Sequence, residues 1–411
     1  MMPLFAAPPT LTHGPSTPGA PDPTPAGASA VAGPIQRVLV LRALMLGDTL
    51  CAVPALRALR RAWPRAKISF MGLPAAREYL SRIHHVDEWL PFPGWPGLPE
   101  QRVDVRSLPS KLALVQNRAW DLAVQLHGSG QVTNPFLALT GARQMAGFHG
   151  PGAWVPPQDA SRFYPWPESG HETHRLLSLC QHLGLPAEDD ALEFPLRPED
   201  DIALRQAWPG WDDCAGYACI HAGAQLPSRR WPLRRFAAVA QGLNDLGLAV
   251  VLTGTRGELP LGLALEEQLR AAGMRCVNLI GRTSLWSLGA LLRRARVLVC
   301  NDTGVSHMAA ALQVPSVVLS CGSDVNRWSP MDRRLHRVLA KPAPCRPCAD
   351  AECPNGHACA DALSVFEVLL ALDDLLASTA SNQESPDGPT AANSDLARAW
   401  QLPLQPHTGA A

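Results

Sequence analysis

Short apolar runs alternate with longer stretches of helical spacing along most of the chain. The runs predicted to be strands are RVLVLR (37–42), KISFMG (67–72), DLAVQLHG (121–128), YACIHAG (217–223), LAVVLTG (248–254), CVNLI (276–280), RVLVCND (296–302) and PSVVLS (315–320). The predicted helices lie between them, at 53–62, 110–118, 171–183, 232–246, 258–272, 284–294 and 305–312. Alternation on this scale is typical of parallel sheets covered by helices on both faces.

Length and local composition divide this pattern into two units. A chain of 411 residues is too long for one ordinary core. The Pro-rich and acidic stretch 185–212 marks a junction, so we predict one domain over 35–198 and a second over 199–377. The polar and Pro/Ala-rich ends, 1–34 and 378–411, are predicted to be disordered tails. The expected fold is α/β, with two doubly wound, Rossmann-like domains whose strand ends face a central cleft.

Charge, hydropathy and cysteine content restrict the partners and the cellular compartment that we expect. The 36 basic and 36 acidic residues cancel, so no overall basic field favours nucleic acid as a partner. No run of 18 apolar residues occurs, which argues against a membrane-spanning helix. The first 34 residues lack the basic start and apolar core of a secretory signal. We therefore expect a cytoplasmic protein with reduced thiols.

A carboxylate stands where the first predicted strand gives way to a helix. In LGDTLCAVPALRAL (46–59), Asp48 follows a Leu-Gly pair, and Pro54 suits the first turn of the helix predicted at 53–62. This position fits a catalytic acid or base in the cleft, and a helix cap without chemistry is the alternative.

The strongest ligand signal is NDTGVSHMAAAL (301–312), which follows the strand RVLVC. Asp302, Thr303 and Gly304 occupy the predicted turn, and free backbone N–H groups at the following helix start suit a phosphate. Thr303 adds a hydroxyl donor, and His307 in the first helical turn can face the same ligand. An ordinary cap beside a packed histidine is the alternative.

A second loop, in HAGAQLPSRRWPLRRF (221–236), combines small residues with two arginines. Ala222, Gly223 and Ala224 predict a tight turn after a strand. Arg229 and Arg230 then form a candidate diphosphate clamp, because arginine binds phosphate in a bidentate manner. A solvated basic turn is equally consistent with this pair.

A third loop, VVLTGTRGE (250–258), places Gly254 after a strand and Glu258 at the next helix start. Such a carboxylate can accept ribose hydroxyls, although it also compensates a helix dipole. No G-x-G-x-x-G follows a predicted strand and no P-loop motif occurs, which argues against nicotinamide or flavin enzymes and excludes P-loop NTPases. An Asp-x-Asp metal motif is also absent from the sequence.

Four of the eleven cysteines crowd into CRPCADAECPNGHAC (345–359). Cys345, Cys348, Cys353 and Cys359 have C-x2-C-x4-C-x5-C spacing, with His357 between the last two. This spacing suits a structural metal knuckle, with Zn as the default and Fe as a second choice. Reduced thiols or a disulfide pair are the alternatives.

Together these strings resemble glycosyltransferase family 9, the ADP-heptose:lipopolysaccharide heptosyltransferases. The resemblance rests on VLVLRALMLGDTLCAVPALRALRRAWP (38–64), HETHRLLSLCQHLGLP (171–186), SRRWPLRRFAAVAQGL (228–243), GRTSLWSLGALLRRARVLVCNDTGVSHMAAAL (281–312) and the cysteine-rich 345–359. It runs in the family's order over roughly 37–376 and implies a GT-B fold, with the acceptor in the first domain and the nucleotide sugar in the second.

The resemblance also implies roles for individual residues. Asp48 would be the general base of an inverting, metal-independent transfer. Arg229 stands where the family usually has lysine. The implied donor site comprises the 222–224 loop and Arg229 at the diphosphate, Thr283, Ser284 and Leu285 near the adenine, Glu258 near the ribose, and Asp302, Thr303, Gly304 and His307 at the phosphates and sugar.

The function expected from this resemblance is transfer of a heptose from ADP-heptose, or a related nucleotide sugar, to the lipopolysaccharide inner core. The reaction would need no catalytic cofactor and would occur at the cytoplasmic face of the inner membrane, with peripheral membrane contact. Two alternatives stay open. One is a GT-B enzyme with another nucleotide sugar and a protein or polysaccharide acceptor, and the other is a catalytically silent relative that acts as a binding protein.

Overall fold

The computed structural model describes residues 31–211, 214 and 216–381, and within them the predicted alternation is present. The strands are β1 (Arg37–Leu41), β2 (Lys67–Gly72), β3 (Glu88–Pro91), β4 (Leu122–Gln125), β5 (Gln144–His149), β6 (Phe163–Pro165), β7 (Tyr217–His221), β8 (Ala249–Leu252), β9 (Val277–Asn278), β10 (Val297–Asn301), β11 (Ser316–Ser320) and β12 (His336–Ala340). The helices are α1 (Leu46–Ala62), α2 (Pro74–Leu80), α3 (Leu108–Gln116), α4 (Thr133–Ala138), α5 (Glu172–His182), α6 (Pro198–Ala207), α7 (Leu233–Asp245), α8 (Leu259–Ala271), α9 (Leu285–Arg294), α10 (Gly304–Ala311), α11 (Val325–Trp328), α12 (Ala358–Asp361) and α13 (Val365–Ser381).

Each half of the chain builds one six-stranded parallel sheet, and the two sheets have equivalent strand orders. The first runs β3-β2-β1-β4-β5-β6 and the second runs β12-β11-β10-β7-β8-β9. In each sheet the first and fourth strands of the half lie side by side, and the winding reverses there. Ligands bind at the carboxyl ends of the strands beside such a reversal. The prediction of two Rossmann-like domains is confirmed.

The central strands read as continuous apolar runs because both of their faces are buried. In β1, Val38 and Val40 pack into one core cluster, whereas Leu39 and Leu41 pack into another on the opposite face of the sheet. All five residues of β10 are buried in the same way. Parallel sheets covered on both sides require this composition, which is why these strands were recognisable in the sequence.

The two halves are joined by residues 184–197 and by direct packing beside the cleft. Phe194 from this connection packs against Tyr79 of the first half and Trp286 of the second, with ring centroids 5.9 and 4.9 Å away. Arg82 forms a bidentate ion pair with Asp200, at 2.6 and 2.8 Å, and its guanidinium lies 4.0 Å from the centroid of Trp286. α1 also packs against α10, which brings the two carboxyl edges together.

Several boundaries differ from the prediction. α1 begins at Leu46 rather than 53, so Pro54 lies in the helix interior and not in its first turn. β3, β5, β6 and β12 were not predicted. Within the predicted tails, Val31 is buried, and Ala32 exchanges two hydrogen bonds with the Gln144 side chain. At the other end 378–381 belong to α13. The rest of both predicted tails, 1–30 and 382–411, lies outside the described residues.

Among the helices in the described part of the chain, none combines the length and apolar composition needed to cross a bilayer.

Candidate functional site

A cavity of about 930 Å³ lies between the carboxyl edges of the two sheets. Its walls come from the start of α1, the loops after β7 and β8, the start of α9 and the turn from β10 to α10. The predicted site residues that line it are Asp48, Ala224, Arg229, Arg230, Gly254, Glu258, Thr283, Ser284, Leu285, Asp302, Thr303, Gly304 and His307. Residues from loops far apart in the sequence therefore meet in one cleft.

The N-termini of α1 and α10 meet across this cleft. A Cβ on Gly47 would come within 2.8 Å of His307 Cδ2 and 3.3 Å of Gly304 Cα, so glycine at 47 permits the close approach. Asp48 lies in the first turn of α1 rather than on a separate turn between strand and helix. Because the first N–H groups of a helix lack intrahelical partners, two helix starts at one cavity favour an anionic ligand.

Burial controls the acidity of Asp48. It raises the pKa of this carboxyl above its usual value, and the opposing effect of the Arg42 guanidinium is smaller. The Arg42 Nη2 to Asp48 Oδ1 distance is 3.7 Å, too long for a hydrogen bond. A carboxylate with a raised pKa is a stronger proton acceptor than an exposed aspartate.

A buried ion cluster beside Asp48 was not found from the sequence. Arg42, which is fully buried, donates from Nη2 to Glu172 Oε1 at 2.9 Å and from Nε to the Asp48 carbonyl at 2.8 Å. Arg327 of the second half donates from Nε to Glu172 Oε2 at 2.7 Å. Burial raises the pKa of Glu172, but Arg42 and Arg327 outweigh it and lower this pKa to about 2. Glu172 is therefore an anion that contacts both halves of the chain close to Asp48.

His307 is buried at the start of α10, with Nδ1 3.7 Å from the Cys51 sulfur of α1. Burial disfavours its charged form, but Cys51 and the carboxylates of Asp302 and Asp48 raise the pKa of His307 to about 9. His307 is therefore a cation at neutral pH, placed between two acidic side chains on the cavity wall. Its charge suits a phosphate oxygen.

Asp302 is supported by the loop that follows β11. The Ser323 hydroxyl donates to Asp302 Oδ2. Burial raises the pKa of Asp302, and the Ser323 hydrogen bond opposes that rise. Arg346 in turn donates to the Ser323 carbonyl at 2.7 Å and to the Ser320 carbonyl at 2.6 Å. The cysteine-rich segment that contains Arg346 thus positions this turn of the cavity.

Both predicted clamp arginines lie on the cavity wall, with one edge of each guanidinium held by the protein. Arg230 donates from Nε and Nη2 to the Ala224 carbonyl, at 3.0 and 2.8 Å. Arg229 donates from Nη2 to the Cys348 carbonyl at 2.9 Å. These contacts fix the two cations in place before a ligand binds.

In the loop after β8, Glu258 Oε2 accepts hydrogen bonds from the backbone N–H and hydroxyl of Thr255, at 2.7 and 2.8 Å. Gly223 is not among the residues that line the cavity. A Cβ at this position would lie 1.8 Å from Glu258 Oε1, so Gly223 makes room for that carboxylate. Ser284 accepts from the Ser287 N–H at 3.1 Å and caps α9.

The cysteine-rich segment does not assemble the predicted metal centre. Cys345, Cys348, Cys353 and Cys359 are free thiols, and nowhere in 31–211, 214 and 216–381 are three His, Cys, Asp or Glu side chains grouped to hold a metal ion. Cys353 Sγ instead accepts the His357 N–H at 3.3 Å. The arrangement of these four thiols does not fit Zn or Fe. The segment instead contacts and supports the cavity wall.

Comparison with known proteins identifies the family and relatives of this chain. The family model described as "Glycosyltransferase family 9 (heptosyltransferase)" matches residues 112–359. Lipopolysaccharide heptosyltransferase 2 of Escherichia coli K12 is 26% identical over 324 residues, which cover 74% of this chain and 87% of that protein. Lipopolysaccharide heptosyltransferase 1 of Pseudomonas aeruginosa is 28% identical over 336 residues, which cover 77% of this chain and 87% of that protein.

The fold has a counterpart among solved structures. The E. coli ADP-heptose LPS heptosyltransferase II superposes with a TM-score of 0.66 at 21% identity, over 84% of this chain and 100% of that one. This similarity supports the GT-B arrangement predicted from the sequence.

Proposed function

The chain belongs to glycosyltransferase family 9, the heptosyltransferases, and from this membership we propose that it transfers a heptose from ADP-heptose to a lipopolysaccharide inner-core acceptor. The observation that carries the proposal is the convergence of Asp48 and the α10 N-terminus on one cavity. The curated relatives are named as lipopolysaccharide heptosyltransferases, and a structural neighbour is named for ADP-heptose. The acceptor would be modified at the cytoplasmic face of the inner membrane.

The proposed donor pose assigns each part of the nucleotide sugar to a group of cavity-lining residues. The adenine lies near Thr283, Ser284 and Leu285, and Glu258 accepts the ribose hydroxyls. The diphosphate lies between Arg229 and the start of α10. The sugar then points toward Asp48 from the Thr303 turn. The proposed pose is supported by the fact that all of these residues line the same cavity.

The proposed chemistry is a single inverting displacement. An acceptor hydroxyl attacks the anomeric carbon of the heptose, and Asp48 takes the hydroxyl proton as the new C–O bond forms. The bond from the anomeric carbon to the phosphate oxygen breaks, and ADP leaves with the electron pair. The raised pKa of Asp48 favours proton transfer, and its fixed place in the first turn of α1 sets the direction of the base.

Charge on the departing ADP is stabilised by groups of the chain itself. The Arg229 and Arg230 guanidiniums, the His307 cation and the N–H groups at the start of α10 all face the proposed diphosphate position. Their positions are fixed by contacts to Cys348, Ala224 and Cys51, so they need little reorganisation during the reaction. We therefore propose a metal-independent transfer.

The proposal is tested by incubating the protein with ADP-heptose and a lipopolysaccharide that lacks inner-core heptose. We expect ADP release that depends on the acceptor, a product heavier by one heptose, and inversion at the anomeric carbon by NMR. A panel of other ADP-sugars and UDP-sugars provides the control. Faster transfer from another donor, or ADP release without product, would contradict the assigned substrates.

A further inference from the structure

Arg327 presents a fixed cation to the cavity beside the proposed base. It lies on α11 of the second half, and its Nε donates to Glu172 of the first half. The Arg327 guanidinium carbon is 4.6 Å from the ring centroid of Trp328 and 5.9 Å from that of Trp166. An ion pair on one edge and aromatic rings nearby restrict its rotation. The side chain remains 30% exposed and lines the cavity.

Arg327 is the accessible member of a charged cluster. Three guanidiniums, those of Arg42, Arg175 and Arg327, surround Glu172 at 2.9, 3.7 and 2.7 Å. Asp48 supplies the second nearby carboxylate, 3.7 Å from Arg42. Asp324, at the start of α11, is a third carboxylate that acts on Arg175. Arg42 and Arg175 are buried, so Arg327 is the member of this trio that a ligand in the cavity can reach.

The proposed donor site has cationic groups of its own, on another part of the cavity lining. Arg229 and Arg230 belong to the loop after β7, and both are held there by main-chain carbonyls. Arg327 is instead tied to Glu172, at the start of α5 in the half where the acceptor is expected. The position beside Asp48 is therefore suited to the acceptor, whose attacking hydroxyl must reach the same carboxylate.

We propose that Arg327 binds an anionic group of the acceptor, a carboxylate or a phosphate, next to the hydroxyl that Asp48 deprotonates. This inference rests on the proposed function and adds a determinant of acceptor specificity to it. With Nε committed to Glu172, the two Nη atoms are the donors that can receive the anion, and a guanidinium matches carboxylate and phosphate oxygens in a bidentate manner.

The test measures kcat/KM for wild-type protein, Arg327→Gln and Arg327→Lys with three acceptors. These are the intact anionic core, the same core after phosphate removal, and the core with its carboxyls reduced to alcohols. Arg334→Gln, at an arginine whose side chain is 90% exposed, serves as the matched control. ADP affinity is measured by calorimetry for each protein.

We expect Arg327→Gln to lose roughly 10- to 100-fold in kcat/KM with the intact acceptor, as the loss of a charge-assisted hydrogen bond predicts. This loss in kcat/KM should largely vanish with the modified acceptor that lacks the anion bound by Arg327. The acceptor with which it vanishes therefore shows whether that anion is a phosphate or a carboxylate. ADP affinity should stay within about twofold of wild type. Arg327→Lys should fall between the two, because it keeps the charge without the planar fork.

Equal losses with all three acceptors would overturn the inference, and so would a weakened affinity for ADP. If Arg327→Gln does not fold by circular dichroism, the same comparison of acceptors with Arg327→Lys decides. A wild-type protein that fails to transfer to any acceptor would contradict the proposed function instead. If wild type transfers heptose but the loss in kcat/KM of the Arg327 variants does not depend on acceptor charge, only the role of Arg327 is contradicted.

Discussion

Replacing Glu172 with glutamine should destabilise the fold through the ion cluster behind Asp48. Glu172 is fully buried and accepts hydrogen bonds from Arg42 and Arg327, one from each half of the chain. Glutamine keeps the size of the side chain but removes the charge and one acceptor oxygen. The fully buried Arg42 would then lose its closest counter-ion, and removing one partner of a buried ion pair is strongly destabilising.

The magnitude follows from the pKa. A fall from the ordinary 4.5 to about 2 corresponds to about 3 kcal/mol of folding free energy at neutral pH. Because the folded pKa is the lower one, this stabilisation is complete above pH 4.5 and is lost as the pH falls toward 2. At pH 3 only about 1 kcal/mol of it should remain.

The assay is urea denaturation of wild type and Glu172→Gln at pH 7 and pH 3. The exposed Glu168→Gln on the preceding segment is the control, with an expected change within about 0.5 kcal/mol. The difference in the free energy of unfolding between wild type and Glu172→Gln should be about 2 kcal/mol smaller at pH 3 than at pH 7. A loss under about 1 kcal/mol at pH 7, or a difference that does not change with pH, would refute this reasoning.

Three further changes test other parts of the site. Gly223→Ala places a Cβ 1.8 Å from Glu258 Oε1, so the carboxylate should shift and the KM for donor should rise roughly tenfold, with kcat little changed. Activity should fall above pH 9 as His307 loses its proton, and His307→Gln should abolish that alkaline limb in a pH–rate profile. Ser323→Ala removes the donor to Asp302, so the pH dependence of ADP binding should move upward by about one unit in calorimetry.

The sequence predicted the central strands and the loops between them because their signals are local. β10, Asp302 and Gly304 lie within one short string, and the buried run, the glycine and the following helix are all visible there. β3, β6 and β12 were not predicted because they lie at sheet edges. Such strands lack the continuous apolar run of a strand that is buried on both faces.

The ion cluster of Arg42, Glu172 and Arg327 was not predicted, for a different reason. Arg42 and Glu172 are 130 residues apart, and Glu172 and Arg327 are 155 apart, so no local pattern joins them. The only local signals were single charged residues next to buried elements, such as Arg42 after β1 and Glu172 at the start of α5. A glycine after a strand, such as Gly223, suits either a ligand or a neighbouring side chain. Its closeness to Glu258 is visible only in three dimensions.

The central claim is that Asp48 removes the acceptor proton. Its most direct test is the single-turnover rate of heptose transfer by Asp48→Asn, with ADP-heptose affinity measured on the same protein. We predict a rate roughly 100- to 10,000-fold below wild type, with donor affinity within about threefold. A transfer rate within tenfold of wild type at saturating substrates would show that another group accepts the proton and would contradict the account.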